Sequence, residues 1–430
     1  MRNFFQFTER ETTYRKETLA GITTFLSMAY ILVVNPIILS EAGIDKGALF
    51  TATALSAIVG SLLIGLLANF PVGIAPSMGL NSFFTFSVVI GMGIDWEIAL
   101  TGVFIAGIIF MILSLLKIRE KIINVIPQDL KHAIAGGIGF FIAFIGLKNA
   151  GIVVSNEATF ISIGQLTTPT TALSAFGFII TLMMLIRGIR GGIFYGIVIS
   201  TIIGMIIGLV QVPTSIVGQV PSLEPTFGVV FQHLGDIFTP EILAVIFTFL
   251  FVAFFDTAGA LIAVASQAGL MKNNRIPNAG RALLADSTSG VIGAIFGTST
   301  TASFVESSAG VAVGGRTGFT SVVISICFFI ALFFSPILGV ITPEVTAPAL
   351  IIVGALMATE VKHINWNRLE IVIPAFVTII MMPLTFSVAT GIALGFILYP
   401  FAMIAKKDWK QVHPIMYSLG FLFILYFIYL

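Results

Sequence analysis

Three acidic residues lie inside apolar stretches of the chain, where a charge is costly and usually serves a function. Asp256 follows two phenylalanines in the middle of one stretch, and Glu306 lies in a segment rich in small and hydroxyl-bearing residues. Asp286 lies nearer the start of a third stretch, where it could pair with Arg281 or cap the next segment. A buried carboxylate without a basic partner takes up a proton readily. Asp256, Glu306 and, more weakly, Asp286 are therefore candidates for proton coupling.

The polar and aromatic neighbours of these carboxylates suggest a ligand site. Carboxylate, amide and hydroxyl groups beside phenylalanine rings suit a flat ligand with hydrogen-bonding edges. We predict substrate contacts at these positions: Glu306, Asp256, Asn81, Ser308, Ser307, Thr257 and Phe255. No histidine pair has metal-ligand spacing, the single cysteine is Cys327, and no phosphate-binding Walker loop is present. The sequence therefore predicts no metal, no cofactor and no ATP-driven step.

The composition places the chain in a membrane. Of its 430 residues, 57% are hydrophobic and 10% are charged, and the mean hydropathy is +1.07. A soluble domain of ordinary composition is about 25% charged, so the apolar surface of this chain must face the lipid bilayer. The net charge of +1 gives no reason to expect a nucleic-acid partner.

The apolar stretches predict an all-α polytopic protein of about 14 transmembrane segments, since a span needs roughly 20 mainly apolar residues. In chain order, spans 1 to 14 are Leu19–Leu39, Leu49–Asn69, Gly73–Gly91, Ile98–Leu116, His132–Ala150, Ala172–Ile186, Gly192–Val210, Ile242–Leu270, Gly280–Gly297, Thr298–Gly314, Thr317–Leu338, Val345–Ala358, Leu369–Leu384 and Phe386–Ala405. A further apolar run at Pro414–Leu430 is either another crossing or an interfacial helix.

Basic residues sort to one side of this arrangement. With the N-terminus in the cytoplasm, 19 of the 21 Lys and Arg residues fall on the cytoplasmic side, leaving only Lys46 and Lys148. Cytoplasmic loops collect such residues. The long loop at 211–241 has neither Lys nor Arg, as an external loop should. We therefore expect a multi-pass protein of the cell membrane with a cytoplasmic N-terminus.

An internal repeat divides the chain into two halves. Residues 19–29 and 243–253 are identical at seven of eleven positions. Because each half has seven spans, an odd number, the second half enters the membrane from the opposite face, as in transporters built from inverted repeats. The expected segments are a cytoplasmic tail (1–17), a first repeat (18–210), an external loop (211–241), a second repeat (242–405) and a C-terminal basic segment with an apolar helix (406–430).

Spans 3 and 10, at matching positions of the two repeats, are both irregular. Pro71 lies just before span 3 and Pro76 lies within it, both near glycines, and span 10 is dense in Ser, Thr and Gly. Backbone that departs from a helix at membrane depth must line a cavity or be buried in protein. We therefore expect short extended segments to break both spans and the binding site to lie where they meet.

Four motifs in order resemble the azaguanine-like (AzgA-like) purine permeases of the nucleobase–cation symporter superfamily, which share the uracil permease fold. They are Leu26-Ser-Met-Ala-Tyr-Ile-Leu-Val-Val-Asn-Pro36, Ser77-Met-Gly-Leu-Asn81, Phe255-Asp-Thr-Ala-Gly259 and Glu306-Ser-Ser-Ala-Gly-Val-Ala-Val-Gly-Gly-Arg-Thr-Gly318. The resemblance covers nearly the whole chain. It implies proton symport of guanine, hypoxanthine or adenine.

The resemblance also implies a division of the fold and roles for particular residues. It implies a core domain of spans 1–4 and 8–11 and a gate domain of spans 5–7 and 12–14. Asp256, Glu306 and Asn81 match the critical polar residues of the family, with Ser308 and Asp286 as weaker members. Uracil and xanthine relatives carry Gln/Glu-Asn-x-Gly in span 10, whereas this chain has Glu306-Ser-Ser-Ala-Gly310, and it lacks a histidine after Asp256. Both departures argue against uracil and xanthine as substrates.

Three other functions fit the sequence less well. An anion transporter on the same fold is disfavoured because two buried carboxylates would repel the ligand. A membrane-embedded enzyme would need a metal cluster or a nucleophile with its base, and the spans show neither. A channel fits poorly with a symmetric pair of broken, carboxylate-bearing spans. The preferred purine and the existence of a homodimer stay open.

Overall fold

The structure is a computed structural model that describes residues 2–116, 127–157, 159–189, 191–271 and 278–429. At helical positions 251, 254–256, 258, 259, 262, 263, 266, 338, 339, 389, 422, 425, 426, 428 and 429 it describes the backbone alone. The chain is mostly helical, as the apolar stretches predict.

The first half of the chain supplies spans 1 to 7. Its helices are α1 (Tyr14–Met28), α2 (Ile31–Ser40), α3 (Lys46–Leu63), α4 (Met78–Ser82), α5 (Trp96–Leu115), α6 (Gln128–Asn149), α7 (Pro169–Ile186) and α8 (Gly192–Ile206), and its strands are β1 (Ile74–Pro76), β2 (Val153–Asn156) and β3 (Phe160–Ile163). Two π-helices, Ile64–Ala68 and Phe83–Gly91, continue α3 and α4.

The second half supplies spans 8 to 14 and the C-terminal helix. Its helices are α9 (Pro240–Gln267), α10 (Ala279–Phe296), α11 (Ser307–Ala312), α12 (Gly318–Ala331), α13 (Ser335–Gly339), α14 (Pro343–Ala358), α15 (Leu369–Leu384), α16 (Val388–Ala405) and α17 (Pro414–Tyr429), and its strand is β4 (Thr301–Ser303). Short 3-10 turns lie at Val229–Phe231, Leu332–Phe334, Thr359–His363 and Trp409–Gln411.

Spans 3 and 10 are broken as predicted, each by one three-residue strand. In span 3, β1 precedes α4, and in span 10, β4 precedes α11. Pro76 has no amide hydrogen and disfavours helix in the residue before it. The Ser and Thr side chains of span 10 compete for backbone hydrogen bonds and so weaken a helix there.

Two features were not anticipated from the sequence. Span 1 is two helices, because the α-helix ends at Met28 and restarts at Ile31. Strands β2 and β3 form an antiparallel hairpin in the loop between spans 5 and 6, with Val153 opposite Ile163.

The helix contacts follow a two-fold pattern that relates the two halves. Helix α3 packs on α12, and its counterpart α10 packs on α5. In the same way α1 packs on α12 as α9 packs on α5, and α7 packs on α8 as α15 packs on α16. Pairs that map onto themselves, such as α6 with α14 and β1 with β4, lie where a two-fold axis would pass. This is the pattern of a 7+7 inverted repeat.

The pattern also separates two domains. The core (spans 1–4 and 8–11) contains α1–α5 and α9–α13 with β1 and β4. The gate (spans 5–7 and 12–14) contains α6–α8 and α14–α16, which pack mainly on one another. At the centre of the gate, Gly139 of α6 and Gly354 of α14 face each other so closely that an added Cβ on either would lie 2.5 to 2.6 Å from the other's backbone. Small residues at such a crossing let two membrane helices approach closely.

Seven helical stretches among the described residues are long and apolar enough to cross a membrane: Tyr14–Ser40, Lys46–Ala68, Trp96–Leu115, Gln128–Asn149, Pro169–Ile186, Gly318–Ile337 and Pro343–His363. Further apolar helices, including Leu369–Leu384 and Gly192–Ile206, are shorter. The chain is therefore a multi-pass membrane protein.

Candidate functional site

Strands β1 and β4 pair with each other in the interior of the core. They are antiparallel, with Ala75 opposite Ala302, and all six of their residues are buried. One backbone hydrogen bond at each end extends the pairing, from Ser77 N to Thr300 O and from Phe304 N to Gly73 O, both 2.9 Å. The pairing satisfies backbone groups that have no helical partner and places the starts of α4 and α11 at the two ends of one short strand pair inside the membrane.

Ser307 fastens the two broken spans to each other. Its hydroxyl oxygen accepts a hydrogen bond of 2.9 Å from the backbone N–H of Gly73, and its side chain is fully buried. Ser308, the next residue, is only half-buried. Of the two predicted substrate contacts, Ser307 therefore has a structural partner in span 3, while Ser308 is the more accessible.

Glu306 lies between β4 and α11, where the backbone changes direction. Its side chain is half-buried, and the preceding residue, Val305, is 53% exposed. The Tyr30 hydroxyl donates a 2.6 Å hydrogen bond to Glu306 Oε1. Tyr30 lies in the break between α1 and α2 and is itself buried. The carboxylate is thus oriented by span 1 yet still reachable.

Asp286 joins three spans of the core. It is 1% exposed and accepts hydrogen bonds from the hydroxyls of Thr257 in α9, at 2.7 Å, and Ser303 in β4, at 3.4 Å. The sequence suggested Arg281 or the start of span 10 as its partner, and Ser303 belongs to span 10. Thr257, a predicted substrate contact, is fully buried and its hydroxyl is directed to Asp286.

Asp256 and Phe255 precede Thr257 on α9. Their side chains lie outside the described residues, so both predictions rest on the sequence alone. A small cavity lies beside α9, and its lining includes Phe249, Asp286 and Thr301.

Asn81 lies in α4, after the break in span 3, and is fully buried. Its side-chain Nδ2 donates to Oδ1 of Asn35 in α2. Asn35 in turn donates to the hydroxyls of Thr53, at 2.7 Å, and Thr298, at 3.0 Å. The Asn81 Oδ1 atom has no hydrogen-bond partner among the described residues.

Sequence reasoning missed Tyr30 and Asn35 as members of the site. Both lie in the span 1 motif at 26–36, and a tyrosine and an asparagine inside an apolar span are the signal that would have found them. The structure places both beside predicted site residues: Tyr30 contacts Glu306, and Asn35 contacts Asn81.

The site can recognise a ligand through hydrogen bonds. Glu306 and Asn81 offer acceptor oxygens from the two broken spans, and Ser308 offers a hydroxyl. Across the part of the chain that the structure describes, no group of three or more His, Cys, Asp or Glu side chains could hold a metal ion.

Comparisons with known proteins agree with this architecture. A model described as the permease family matches residues 15–394. The chain is 57% identical to the guanine/hypoxanthine permease PbuG of Bacillus subtilis (strain 168), with 100% of both chains covered. It is 41% identical to the adenine permease AdeP of Escherichia coli (strain K12), covering 98% of this chain and 94% of that one.

A solved structure of similar fold is the transmembrane domain of the cyanobacterial bicarbonate transporter BicA. The TM-score is 0.62 at 16% sequence identity, and the match covers 91% of this chain and 96% of that one. At this identity the likeness concerns the fold, which both chains share.

Proposed function

The chain belongs to the permease family that matches residues 15–394, and from this membership we propose that it is a proton-coupled symporter that imports purine nucleobases across the cell membrane. The substrates are guanine and hypoxanthine, or adenine. As a permease it is a transporter and not an enzyme. The full-length relatives named for guanine, hypoxanthine and adenine support the substrate class.

The observation that carries the proposal is the position of Glu306. A half-buried carboxylate at the start of α11, held on one oxygen by Tyr30, presents acceptors inside the membrane. Guanine and hypoxanthine both carry an N–H at ring position N1 that can donate to such an acceptor, and guanine adds the neighbouring exocyclic amino group. An anion, by contrast, would be repelled by Glu306, so the fold shared with BicA does not favour bicarbonate.

The roles of the carboxylates divide as follows. Glu306 serves mainly recognition, with Asn81, Ser308, Ser307, Thr257 and Phe255 as further substrate contacts. Asp256 serves mainly proton coupling, since a carboxylate in a long apolar helix is costly to keep ionised and binds a proton readily. Asp286 is the weaker coupling candidate, because two hydroxyls already hold it between spans 8, 9 and 10.

The proposed topology keeps the N-terminus in the cytoplasm. The proposed divisions are the tail (1–17), the first repeat (18–210), the external loop (211–241), the second repeat (242–405) and the C-terminal segment (406–430). The support is the asymmetry of basic residues. Labelling of single cysteines, in a background without Cys327, tests this topology. Modification of the 211–241 loop only from the cytoplasm would contradict it.

A homodimer is compatible with this arrangement. The mass of the purified protein in detergent tests whether it is a dimer.

Uptake of radiolabelled guanine, hypoxanthine and adenine tests the function. In cells without their own purine uptake, the chain should accumulate at least one of the three, and an uncoupler should abolish accumulation. Glu306→Gln should lose uptake, whereas Glu224→Gln, which changes an exposed carboxylate in the external loop, should keep it. Absence of purine uptake with the protein in the membrane would refute the substrate class, and accumulation unaffected by the uncoupler would refute the coupling.

A further inference from the structure

A chain of buried hydrogen bonds runs from the backbone of α3 to the side chain of Asn81. Thr53 Oγ1 lies 2.6 Å from the carbonyl oxygen of Leu49, and Asn35 Nδ2 lies 2.7 Å from Thr53 Oγ1. Oδ1 of Asn35 then accepts from Nδ2 of Asn81. The side chains of Thr53, Asn35 and Asn81 are each 0% exposed.

The chemistry of the first link fixes the direction of all the others. Two oxygens 2.6 Å apart share a hydrogen, and a carbonyl has none to give, so the hydroxyl of Thr53 donates to Leu49. A hydroxyl has one hydrogen, so Thr53 can only accept from Asn35. The Asn35 atom that faces Thr53 is therefore the amide nitrogen, and the atom that faces Asn81 is the oxygen.

The last link leaves one atom of Asn81 without a partner. An amide that donates through its nitrogen to Asn35 must direct its oxygen elsewhere. That oxygen, Asn81 Oδ1, is buried and has no hydrogen-bond partner among the described residues. Most buried polar atoms have such a partner, so each exception needs an explanation. Asn81 lies in α4, just after β1, and β1 pairs with β4, the strand that leads to Glu306, so a bound substrate is the explanation that the location favours.

We infer that Asn35, held by Thr53, is a positioning residue that fixes the Asn81 amide with its oxygen toward the substrate. The site then selects purines that present an N–H group to this oxygen. The inference rests on the proposed function and adds a preference to it. Purines differ at ring position N1, which is a donor in guanine and hypoxanthine and an acceptor in adenine. An amide fixed as an acceptor favours the first two, whereas an amide that can turn over serves either kind.

A set of variants separates positioning from mere packing. Thr53→Val removes the hydroxyl that fixes Asn35, so the amides of Asn35 and Asn81 can both turn over. Thr53→Ser keeps the hydroxyl and should behave as wild type. Thr298→Val is the matched control, because it removes the other hydroxyl that Asn35 contacts but leaves the Leu49–Thr53–Asn35 order intact. Asn35→Ala removes the acceptor that holds the Asn81 amide nitrogen. It replaces Thr53→Val in the experiment if that variant does not fold.

The experiment measures binding of hypoxanthine and adenine to the purified full-length chain, with melting temperature as the check on folding. Wild type, Thr53→Ser and Thr298→Val should prefer hypoxanthine, and in Thr53→Val or Asn35→Ala that preference should shrink by about tenfold, the scale on which a directed hydrogen bond discriminates. If a folded Asn35→Ala variant keeps the wild-type ratio of hypoxanthine to adenine affinity, even with weaker binding of both bases, Asn35 has only a structural role. Failure of the wild type to bind any purine would instead refute the proposed function.

Discussion

At the scale of single residues, the site is made of carboxylate and amide groups whose orientation is set by partners in span 1. Tyr30 holds one oxygen of Glu306, and Asn35 holds the nitrogen of Asn81. Both partners are buried, so neither holding group is free to drift. A site whose groups are oriented before the ligand arrives loses less free energy in ordering them when it binds.

Replacing Tyr30 by phenylalanine should weaken purine binding about tenfold. A hydrogen bond to a charged group contributes about 1.5 kcal/mol or more, and without it the Glu306 carboxylate lacks the hydroxyl that orients Oε1. Calorimetric titration with the preferred base measures the effect. Tyr195→Phe, which removes a hydroxyl from α8 of the gate, is the control and should bind normally. In a Glu306→Gln background the Tyr30→Phe change should cost much less, because the two residues act together; full additivity would show that they act independently.

Replacing Asp256 by asparagine should separate binding from coupling. Asparagine keeps the size of the side chain but cannot take up and release a proton. Purine binding should therefore survive, while accumulation driven by a pH gradient in proteoliposomes should be lost. The two measurements are made on the same preparation, so misfolding would show as loss of both. Accumulation that keeps its normal dependence on pH would remove Asp256 from the coupling role.

At the scale of elements, the strand pair is what brings the two halves of the site together. Strands of three residues are weak alone, and β1 and β4 gain support from side chains around them. Ser61 Oγ accepts from Ile74 N at 3.0 Å, and Ser307 Oγ accepts from Gly73 N. Serine hydroxyls thus replace the helical partners that the broken backbone lacks.

Ser307→Ala should therefore destabilise the protein by about 1–3 kcal/mol, since it leaves the buried Gly73 N–H without an acceptor. Ser308→Ala is the matched control on the next residue, which is half-buried, and should stay within about 0.5 kcal/mol of wild type. The two variants are compared by thermal unfolding in detergent. Purine is left out, so that a role of Ser308 in binding cannot affect the measured stability. Equal stability of the two variants would mean that the Gly73–Ser307 bond contributes nothing to the fold.

The elements that could be predicted are those whose cause is local. Prolines, glycines and hydroxyls mark the breaks in spans 3 and 10, and both breaks are confirmed. The break in span 1 has no such mark, because residues 28–31 are compatible with a helix; Tyr30 there bonds to a residue 276 positions away. The Thr257–Asp286 contact depends in the same way on how α9 and α10 pack. Local sequence thus predicts which residues are polar at depth, while tertiary packing decides which of them meet.

At the scale of the whole molecule, the two-fold pattern gives two domains, the core and the gate, that differ in content. The core carries every described member of the site, and the gate is a set of helices packed closely through residues such as Gly139 and Gly354. Contact between them includes the ring of Phe386, in the loop between α15 and α16 of the gate, against the ring of Phe86 in span 3 of the core, with a centroid distance of 5.4 Å. Aromatic rings can slide past one another, at the cost of the hydrogen bond that Ser87 donates to the Phe386 backbone oxygen, so we expect the core to move against the gate and carry the site with it.

Disulfide trapping across this contact tests the movement. Ser87 Oγ of the core lies 3.0 Å from the backbone oxygen of Phe386, and within the core Ser325 Oγ lies 3.0 Å from the backbone oxygen of Ile58. In a background without Cys327, oxidation of the pair Ser87→Cys with Phe386→Cys should stop purine uptake while binding remains, and reduction should restore it. The pair Ser325→Cys with Ile58→Cys joins two elements that move together, so its oxidation should leave uptake intact. The contrary result is a Ser87→Cys/Phe386→Cys protein that is fully cross-linked by mass and still transports at the wild-type rate. The core and gate would then not move relative to each other at this contact. Alternating access would have to arise from local opening around a fixed site.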